Sequence, residues 1–253
     1  AVAALLIING VPVAVAMIAA FCAGALAGLI TAVLHTHMGI PPILSGILTQ
    51  LALYSINLRI MGKANQPIMV HQYDLIVSMR YIPQAILIGG IIVVVLIGVL
   101  YWFFGTERGA SIRATGANVN MAKAQGINTD LNKLIGLMVS NGLVALSGAL
   151  LSQYQSFAEI NMGRGAIVIG LAAVIIGEVL FSKAFRNFAL KLLSVSIGAI
   201  IYYVVIQAVL SFTSINSNYL KLISALIVAL FLSVPYWKNK YFTKTGKGGL
   251  GHA

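Results

Sequence analysis

The amino-acid sequence predicts an all-α fold, a polytopic bundle of helices that cross a membrane several times. Hydrophobic residues make up 60% of the chain, and charged residues make up only 8%. Soluble domains carry roughly 25% charged residues, which cover the core with polar surface. Several apolar runs also reach about 20 residues, the length that a helix needs to cross a bilayer. These three observations together indicate a multi-pass membrane protein.

Apolar runs separated by polar segments predict six full spans. A shorter run and a fragment at the start of the chain accompany them. The full spans are 11–34, 40–58, 84–104, 134–152, 192–212 and 219–236, the shorter run is 166–181, and the fragment is 1–9. The fragment is typical of the end of a helix, so we expect more membrane sequence before Ala1 in the native protein. We assign 1–236 to a transmembrane domain and 237–253 to a basic tail.

Individual residues in these runs carry further predictions. Gly24 and Gly28 lie four residues apart, and small residues at this spacing allow two helices to approach closely in lipid. Pro41 and Pro42 can begin a helix but cannot lie deep inside one. Cys22, the one cysteine, lies in an apolar run. We expect it to be a buried and inert thiol.

The distribution of basic residues predicts the orientation, because Lys and Arg gather in the cytoplasmic loops of membrane proteins. If the polar stretch 108–134 is cytoplasmic, then 182–191 and the C-terminal tail lie on the same side, with eleven of the 16 basic residues. The other five are Arg59, Lys63, Arg80, Arg164 and Lys221. We therefore expect a cytoplasmic C-terminus. The net charge of +11 has the same origin, so it does not indicate nucleic-acid binding.

The polar stretch itself predicts a short helix near 119–125 on the membrane face. Asn118 is well placed as its N-cap, and Gly126 is well placed to end it. Gly116 and Gly126 would let the backbone turn sharply at the two ends. From the residues alone, this helix is either a plain amphipathic connector or a segment that a protein partner covers. Its small apolar face comprises Met121, Ala122 and Ala124.

Polar residues inside the apolar runs are candidates for a solute path. Gln50, Tyr54 and Asn57 lie at i, i+4 and i+7, on one face of the helix 40–58. This stripe either lines a path or packs against another helix. Glu178 is an acid in an apolar run, which is costly in a membrane. It either forms an interfacial ion pair with Lys183 or Arg186, or contacts substrate or protons.

The remaining polar residues of the spans have simpler interpretations. Asn141, Ser147 and Gln207 are expected to form hydrogen bonds between helices. Tyr202 and Tyr203 belong either to helix packing or to an interfacial aromatic belt.

The sequence contains no recognisable catalytic set. The phosphate-binding pattern G-x-x-x-x-G-K-[ST] is absent, so any ATP must bind another polypeptide. His35 and His37 have no third ligand nearby, and we predict neither a metal site nor a cofactor in this chain. Two rival functions stay open at this point. An ion-coupled secondary transporter would need buried acids, for which Glu178 is the one candidate, and an intramembrane enzyme would need a catalytic set.

Residues 108–153 resemble the cytoplasmic region of the permease subunits of ABC importers, in the ribose and branched-chain amino-acid transporter family. That family carries R-A-x-G-x-N, matched here by Arg113–Asn118, and then A-x-x-x-G-I-N, matched by Ala122–Asn128. A Gly- and Ser-rich span follows, in which Asn141 replaces the usual Ser. The resemblance covers about residues 20–235. It implies an ABC-importer permease fold in a bacterial cytoplasmic membrane, with 105–131 as the cytoplasmic coupling loop.

The resemblance also implies partners. These are a second copy of the chain, two ABC ATPase subunits that bind ATP and Mg²⁺, and an extracytoplasmic substrate-binding protein. The implied ATPase-coupling residues are Arg113, Gly116, Asn118, Met121, Ala122, Ala124, Gly126 and Asn128. External charged residues at which the binding protein would dock are Arg59, Lys63, Glu159 and Arg164.

Two further stretches narrow the substrate. Residues 39–68 and 163–181 are similar to a subgroup of these permeases that works with lipoprotein-type binding proteins. This subgroup is associated with the uptake of amino acids, aromatic ones among them. The resemblance therefore implies an ATP-driven amino-acid importer, with a sugar as the alternative substrate.

Overall fold

The computed structural model describes residues 1–69, 72–73, 75–163, 166–181 and 187–212, together with 225–226, 229 and 233. The chain divides into two compact units, Ala1–Gly163 and Arg164–Ala253. Seven α-helices and two short strands, with a short 3-10 helix at Met79–Tyr81, form the described part of the first unit. They are α1 (Val2–Ile8), α2 (Val13–Thr36), α3 (Pro42–Met61), β1 (Asn65–Pro67), α4 (Ile82–Gly105), α5 (Glu107–Ala117), α6 (Val119–Ala124), α7 (Thr129–Gln155) and β2 (Phe157–Glu159).

The predicted membrane helices are confirmed in the described residues. Five helical segments there are long and apolar enough to cross a bilayer, and a shorter apolar helix, Ile169–Phe181, accompanies them. The five are Val13–Thr36, Pro42–Met61, Met79–Gly105, Thr129–Gln155 and Phe188–Ala208. The predicted span 219–236 lies almost entirely outside the described residues. Side chains of α4 such as Ile86, Val94 and Trp102 are exposed on the chain, as expected of a surface that lipid or another subunit covers.

Close packing of α2 against α7 forms the centre of the first unit, and it confirms the prediction for Gly24 and Gly28. A Cβ atom on Gly24 would lie 2.6 Å from the carbonyl oxygen of Asn141, and one on Gly28 would lie 2.9 Å from Cα of Met138. Gly142 on α7 also allows the close approach, because a Cβ atom there would lie 2.7 Å from the Phe21 ring on α2. Only glycine allows the two backbones to approach this closely.

The contact between α2 and α3 includes a buried hydrogen bond. The Thr31 hydroxyl donates to the Thr49 hydroxyl at 2.8 Å, and both residues are buried. Pro41 is the N-cap of α3 and Pro42 its first residue, which confirms that the two prolines begin this helix. The helix ends at Met61, and Gly62 caps it with a φ of 71°, which glycine adopts without strain.

Two short strands, which the sequence did not predict, join the polar segments after α3 and α7. They pair antiparallel, with Asn65 opposite Glu159 and Pro67 opposite Phe157. Gln153 is fully buried, and its Oε1 accepts a hydrogen bond of 3.2 Å from the backbone N–H of Ile76. Strands of three residues are too short to show the alternation of polar and apolar residues by which a strand is recognised.

One prediction for the apolar runs is wrong. Cys22 is exposed on α2 and not buried. Asn141 donates to the backbone carbonyl of Leu137 in its own helix at 2.9 Å, so its predicted hydrogen bond to another helix is not found among the described residues and stays a prediction. Cys22 lies on α2 and Asn141 lies on α7. The close approach of these two helices at Gly24 and Gly28 decides which face of each helix points inwards.

The second unit contains α8 (Ala166–Phe181) and α9 (Phe188–Phe212) among its described residues. The two helices pack through small residues. A Cβ atom on Gly177 would lie 2.7 Å from the carbonyl carbon of Ser194, and one on Gly198 would lie 2.8 Å from the backbone nitrogen of Gly177. Tyr202 is fully buried and packs in this unit, whereas its neighbour Tyr203 is exposed. Tyr202 therefore belongs to the helix packing, and Tyr203 belongs to the surface.

Candidate functional site

The polar stretch after α4 folds into two helices, where the sequence predicted one. Thr106 is the N-cap of the first helix, α5. Its hydroxyl oxygen accepts from the backbone N–H of Gly109 at 3.3 Å, and its O–H group donates to the carbonyl of Phe103 at 2.6 Å. Gly109 lies against the backbone of Phe104, and a Cβ atom at this position would overlap it. The chain can therefore fold back directly at the end of α4.

The predicted short helix is confirmed as α6, with the predicted ends. The Asn118 side-chain oxygen accepts from the Met121 N–H at 3.0 Å, and Gly126 has a φ of 76°. Asn128 caps the next helix, α7, in the same way, by accepting from the Leu131 N–H at 3.1 Å. The expectation of a turn at Gly116 is wrong, since this glycine lies inside α5. The chain changes direction at Asn118, which is extended.

One face of α6 is covered by the chain itself, and the other is exposed. Ala122 is only 2% exposed, so it belongs to the covered face and not to the exposed apolar face that we predicted. Met121 is 61% exposed, and Ala124 is also exposed. We call the exposed residues of α5 and α6 the coupling surface. It comprises Glu107, Arg108, Ala110, Arg113, Gly116, Ala117, Asn120, Met121, Lys123 and Ala124.

Towards the other end of α7, the first unit contains a groove of about 470 Å³. Its walls come mainly from α1, α2, α3 and α7, with β2 and the residues that follow it at one side. Most of the lining is apolar, including Ala27, Leu53 and Ala145. Among the side chains that line it, the polar ones are Asn57, Ser152 and Glu159.

The structure separates the residues of the predicted polar stripe. Asn57 lines the groove, but Gln50 and Tyr54 are exposed and do not line it. The face of α3 that is turned towards α2 and α7 carries residues 53, 56, 57 and 60. The predicted face with residues 50, 54 and 57 is not the one that points there. Ser152 of α7 was missed, because a serine in a Gly- and Ser-rich span gives no distinctive signal in the sequence.

The other candidate residues lie apart from the groove or outside the described residues. Arg59 and Lys63 are exposed at the end of α3 and do not line the groove. Glu159 is the exception, since it is exposed on β2 and lines one side of the groove. Glu178 is exposed on α8. The residues named as its possible ion-pair partners, like Arg164, lie outside the described residues.

Comparison with known proteins identifies the family. Residues 1–232 match the model of the family described as the permease component of the branched-chain amino acid transport system. The chain belongs to this permease family. The permease is therefore a subunit of an ABC-type transport system, a multi-pass membrane protein that acts in transport and not as a catalytic enzyme. This confirms the resemblance drawn from residues 108–153.

Individual relatives agree with the family. The permease is 37% identical over 225 residues to the tyrosine transport system permease protein of Clostridioides difficile, covering 89% of this chain and 74% of the relative. It is 34% identical over 224 residues to an uncharacterised protein of Rickettsia prowazekii, covering 86% and 78%. A xylose transport system permease of Haemophilus influenzae matches at 32% identity over 89 residues, which is 34% of this chain and 24% of that relative. No solved structure matches the permease.

The orientation of the permease can be measured by cysteine labelling. Ala117 is exposed at the end of α5, so Ala117→Cys is accessible to reagents on its own side of the membrane. Because Cys22 is exposed, the background must be Cys22→Ala. We expect a membrane-impermeant maleimide to label Ala117→Cys in inverted vesicles and not in intact cells. Labelling in intact cells would reverse the predicted orientation.

Proposed function

We propose that this permease is the membrane subunit of an ATP-driven importer of an amino acid with a large apolar or aromatic side chain. Two copies would form the translocation unit, in a bacterial cytoplasmic membrane. Two ABC ATPase subunits, which hold ATP and Mg²⁺, would bind at the coupling surface. An extracytoplasmic binding protein would deliver the substrate to the opposite face, at Arg59, Lys63, Glu159 and Arg164.

One observation carries this proposal: α7 connects the coupling surface to the groove. The helix has 27 residues and is therefore about 40 Å long. Its first turn follows α6, and its last turns line the groove with Ala149 and Ser152. A movement imposed on α6 by an ATPase can reach the groove through this single rigid element. A plain connector between two spans would not need an exposed, capped helix at this position.

The chemistry of the groove supports the substrate class. Small-molecule sites are mostly apolar, with a few polar groups that orient the ligand. The volume of about 470 Å³ is ample for an amino acid with a large side chain. In this proposal the carboxylate of Glu159 attracts the substrate ammonium group, Asn57 and Ser152 offer hydrogen bonds, and the apolar walls cover the side chain. The tyrosine permease relative is consistent with the same class.

A sugar is the second candidate, because a xylose permease is among the relatives. A sugar presents a hydroxyl on nearly every carbon, and each buried hydroxyl needs a hydrogen-bond partner. The described groove offers three polar side chains within a mostly apolar lining. The lining therefore favours an apolar amino acid over a sugar.

Transport by the reconstituted complex tests the proposal. The permease, its ATPase and its binding protein would be assembled in proteoliposomes with ATP enclosed. We expect uptake of labelled tyrosine or another large apolar amino acid, and no uptake when a non-hydrolysable ATP analogue replaces ATP. Uptake of xylose in preference to amino acids would overturn the substrate class. Amino-acid uptake that follows an ion gradient without ATP would overturn the mechanism.

The role of Asn57 is a separate prediction. Asn57→Leu removes a polar group from the groove, and a hydrogen bond to a ligand contributes on the order of 1 kcal/mol. We expect uptake to fall by roughly fivefold to tenfold, with the ATPase still bound. The matched control is Gln50→Leu, the same kind of change on the same helix but outside the groove, and we expect it to transport normally. Equal loss in both variants would assign the whole stripe to helix or subunit packing.

A further inference from the structure

A buried polar cluster joins α5 to α7. The side-chain N–H groups of Asn132 donate to the Ser111 hydroxyl at 2.7 Å and to the Thr115 hydroxyl at 2.9 Å. The Thr115 hydroxyl in turn donates to the backbone carbonyl of Ser111 at 2.8 Å. Asn132 is 3% exposed and Thr115 is 4% exposed. Three polar side chains thus meet in one contact, in which Asn132 and Thr115 are buried and Ser111 is partly exposed.

Such a contact is not needed for stability alone. Apolar side chains of the same shape can replace a buried hydrogen-bonded set at little or no cost in free energy. A hydrogen-bonded set differs in specificity, because it is satisfied at one register of the two helices and leaves polar groups unpaired at any other. Asn132 therefore holds α5 in one position on α7.

The place of the cluster in the fold makes this register important. Asn132 lies in the first turn of α7, directly after the α6 segment. Further along the same helix, twenty residues or about 30 Å away, Ser152 lines the groove. The coupling surface is carried by α5 and α6, so a force on that surface reaches α7 either through the polar cluster or through the chain after Gly126.

We propose that Asn132 is a positioning residue that transmits movement of the coupling surface to α7, through its hydrogen bonds to Ser111 and Thr115. This proposal rests on the proposed importer function. When an ATPase displaces α5 and α6, the hydrogen bonds keep α7 moving with them as one body. Without them α5 slides on α7, and ATP is hydrolysed without a matching movement at the groove.

The test compares two substitutions at Thr115 that differ in the hydroxyl group. Thr115→Val keeps the shape of the side chain and removes the acceptor of one Asn132 bond, whereas Thr115→Ser keeps the hydroxyl. The measurements are made on the complete complex in proteoliposomes: ATP hydrolysed per amino acid transported, the amount of ATPase bound, and the unfolding temperature. A purely structural role would change the last two and leave the first unchanged.

We expect Thr115→Val to raise the ATP hydrolysed per transported amino acid by roughly fivefold to tenfold, as expected for the loss of one buried hydrogen bond. We expect Thr115→Ser to retain the wild-type ratio. A wild-type ratio in Thr115→Val would overturn the proposal. If Thr115→Val does not assemble, Ser111→Ala, at a partly exposed position, is measured instead, and a wild-type ratio there also overturns it.

The wild-type complex separates the two levels of the proposal. If the wild-type complex does not transport amino acids with ATP, the proposed function fails, and the inference on Asn132 fails with it. If the wild-type complex couples transport to hydrolysis and the variants do so equally well, only the inference fails.

Discussion

Ala124→Glu should abolish uptake while the permease itself remains folded. Ala124 is exposed and lies on the face of α6 opposite Ala122. If an ATPase subunit covers this face, the new carboxylate is buried without a partner, which costs several kcal/mol. Each 1.4 kcal/mol lowers the affinity tenfold, so we expect binding of the ATPase to fall by at least a hundredfold.

Co-purification of the ATPase with the permease, together with substrate-stimulated ATP hydrolysis, is the measurement for Ala124→Glu. Ala124→Ser is the matched control, because serine adds one small polar group and no charge. We expect this control to bind the ATPase and to transport normally. Wild-type binding and hydrolysis in Ala124→Glu would mean that α5 and α6 are only a connector between two spans.

Ala122→Glu should also impair uptake, but for a different reason. Ala122 is 2% exposed, and the chain's own residues cover it. A glutamate there would displace α6 from the rest of the loop even in the absence of an ATPase. A docking experiment based on Ala122 would therefore confuse misfolding of the loop with loss of a partner, and Ala124 avoids this problem.

Gly28→Val should destabilise the whole first unit. The Cβ atom of any side chain at residue 28 would meet the backbone of Leu137 and Met138, and backbone cannot rotate away as a side chain can. Overpacking costs roughly 1–3 kcal/mol and occasionally more, and contact with backbone atoms places this site at the upper end of the range. We therefore expect loss of most of the folded permease, since α2 and α7 form the centre of this unit.

Thermal unfolding in detergent, with the yield of monodisperse protein, is the measurement for Gly28→Val. Gly90→Val is the matched control, because a Cβ atom at residue 90 would have nothing within 4 Å. We expect this control to unfold within about 0.5 kcal/mol of the wild type, as exposed substitutions usually do. Equal stability of the two variants would show that the close approach of α2 and α7 is not required for folding.

The small residues of α2 show how far local sequence can predict packing. Gly24 and Gly28 indicated a close helix contact by their spacing alone, and the structure confirms the contact. Their partner was not predictable, because several helices of the chain carry small residues and spacing does not identify which pair meets. Cys22 illustrates the consequence. Its burial depends on which face of α2 meets α7, and the prediction of a buried thiol was therefore wrong.

The structure of the coupling loop was also predicted only in part. Asn118 and Gly126 predicted both ends of α6, because N-caps and left-handed C-terminal glycines act through the backbone of their own helix. The helix α5 was not predicted, although Thr106 caps it. Its sequence contains two glycines and no apolar stripe, so neither propensity nor periodicity indicates a helix.

By itself, the sequence determined that this protein is a multi-pass helical membrane protein with a capped polar helix between two spans, and its motifs identified the permease family. These properties depend on composition, run length and local capping, which act over a few residues. Only the tertiary structure decided that Asn57 lines the groove without Gln50 and Tyr54, that Ala122 is covered, and that Asn132 joins α5 to α7. Each of these depends on the rotation of one helix relative to another, which is set by contacts between residues far apart in the chain.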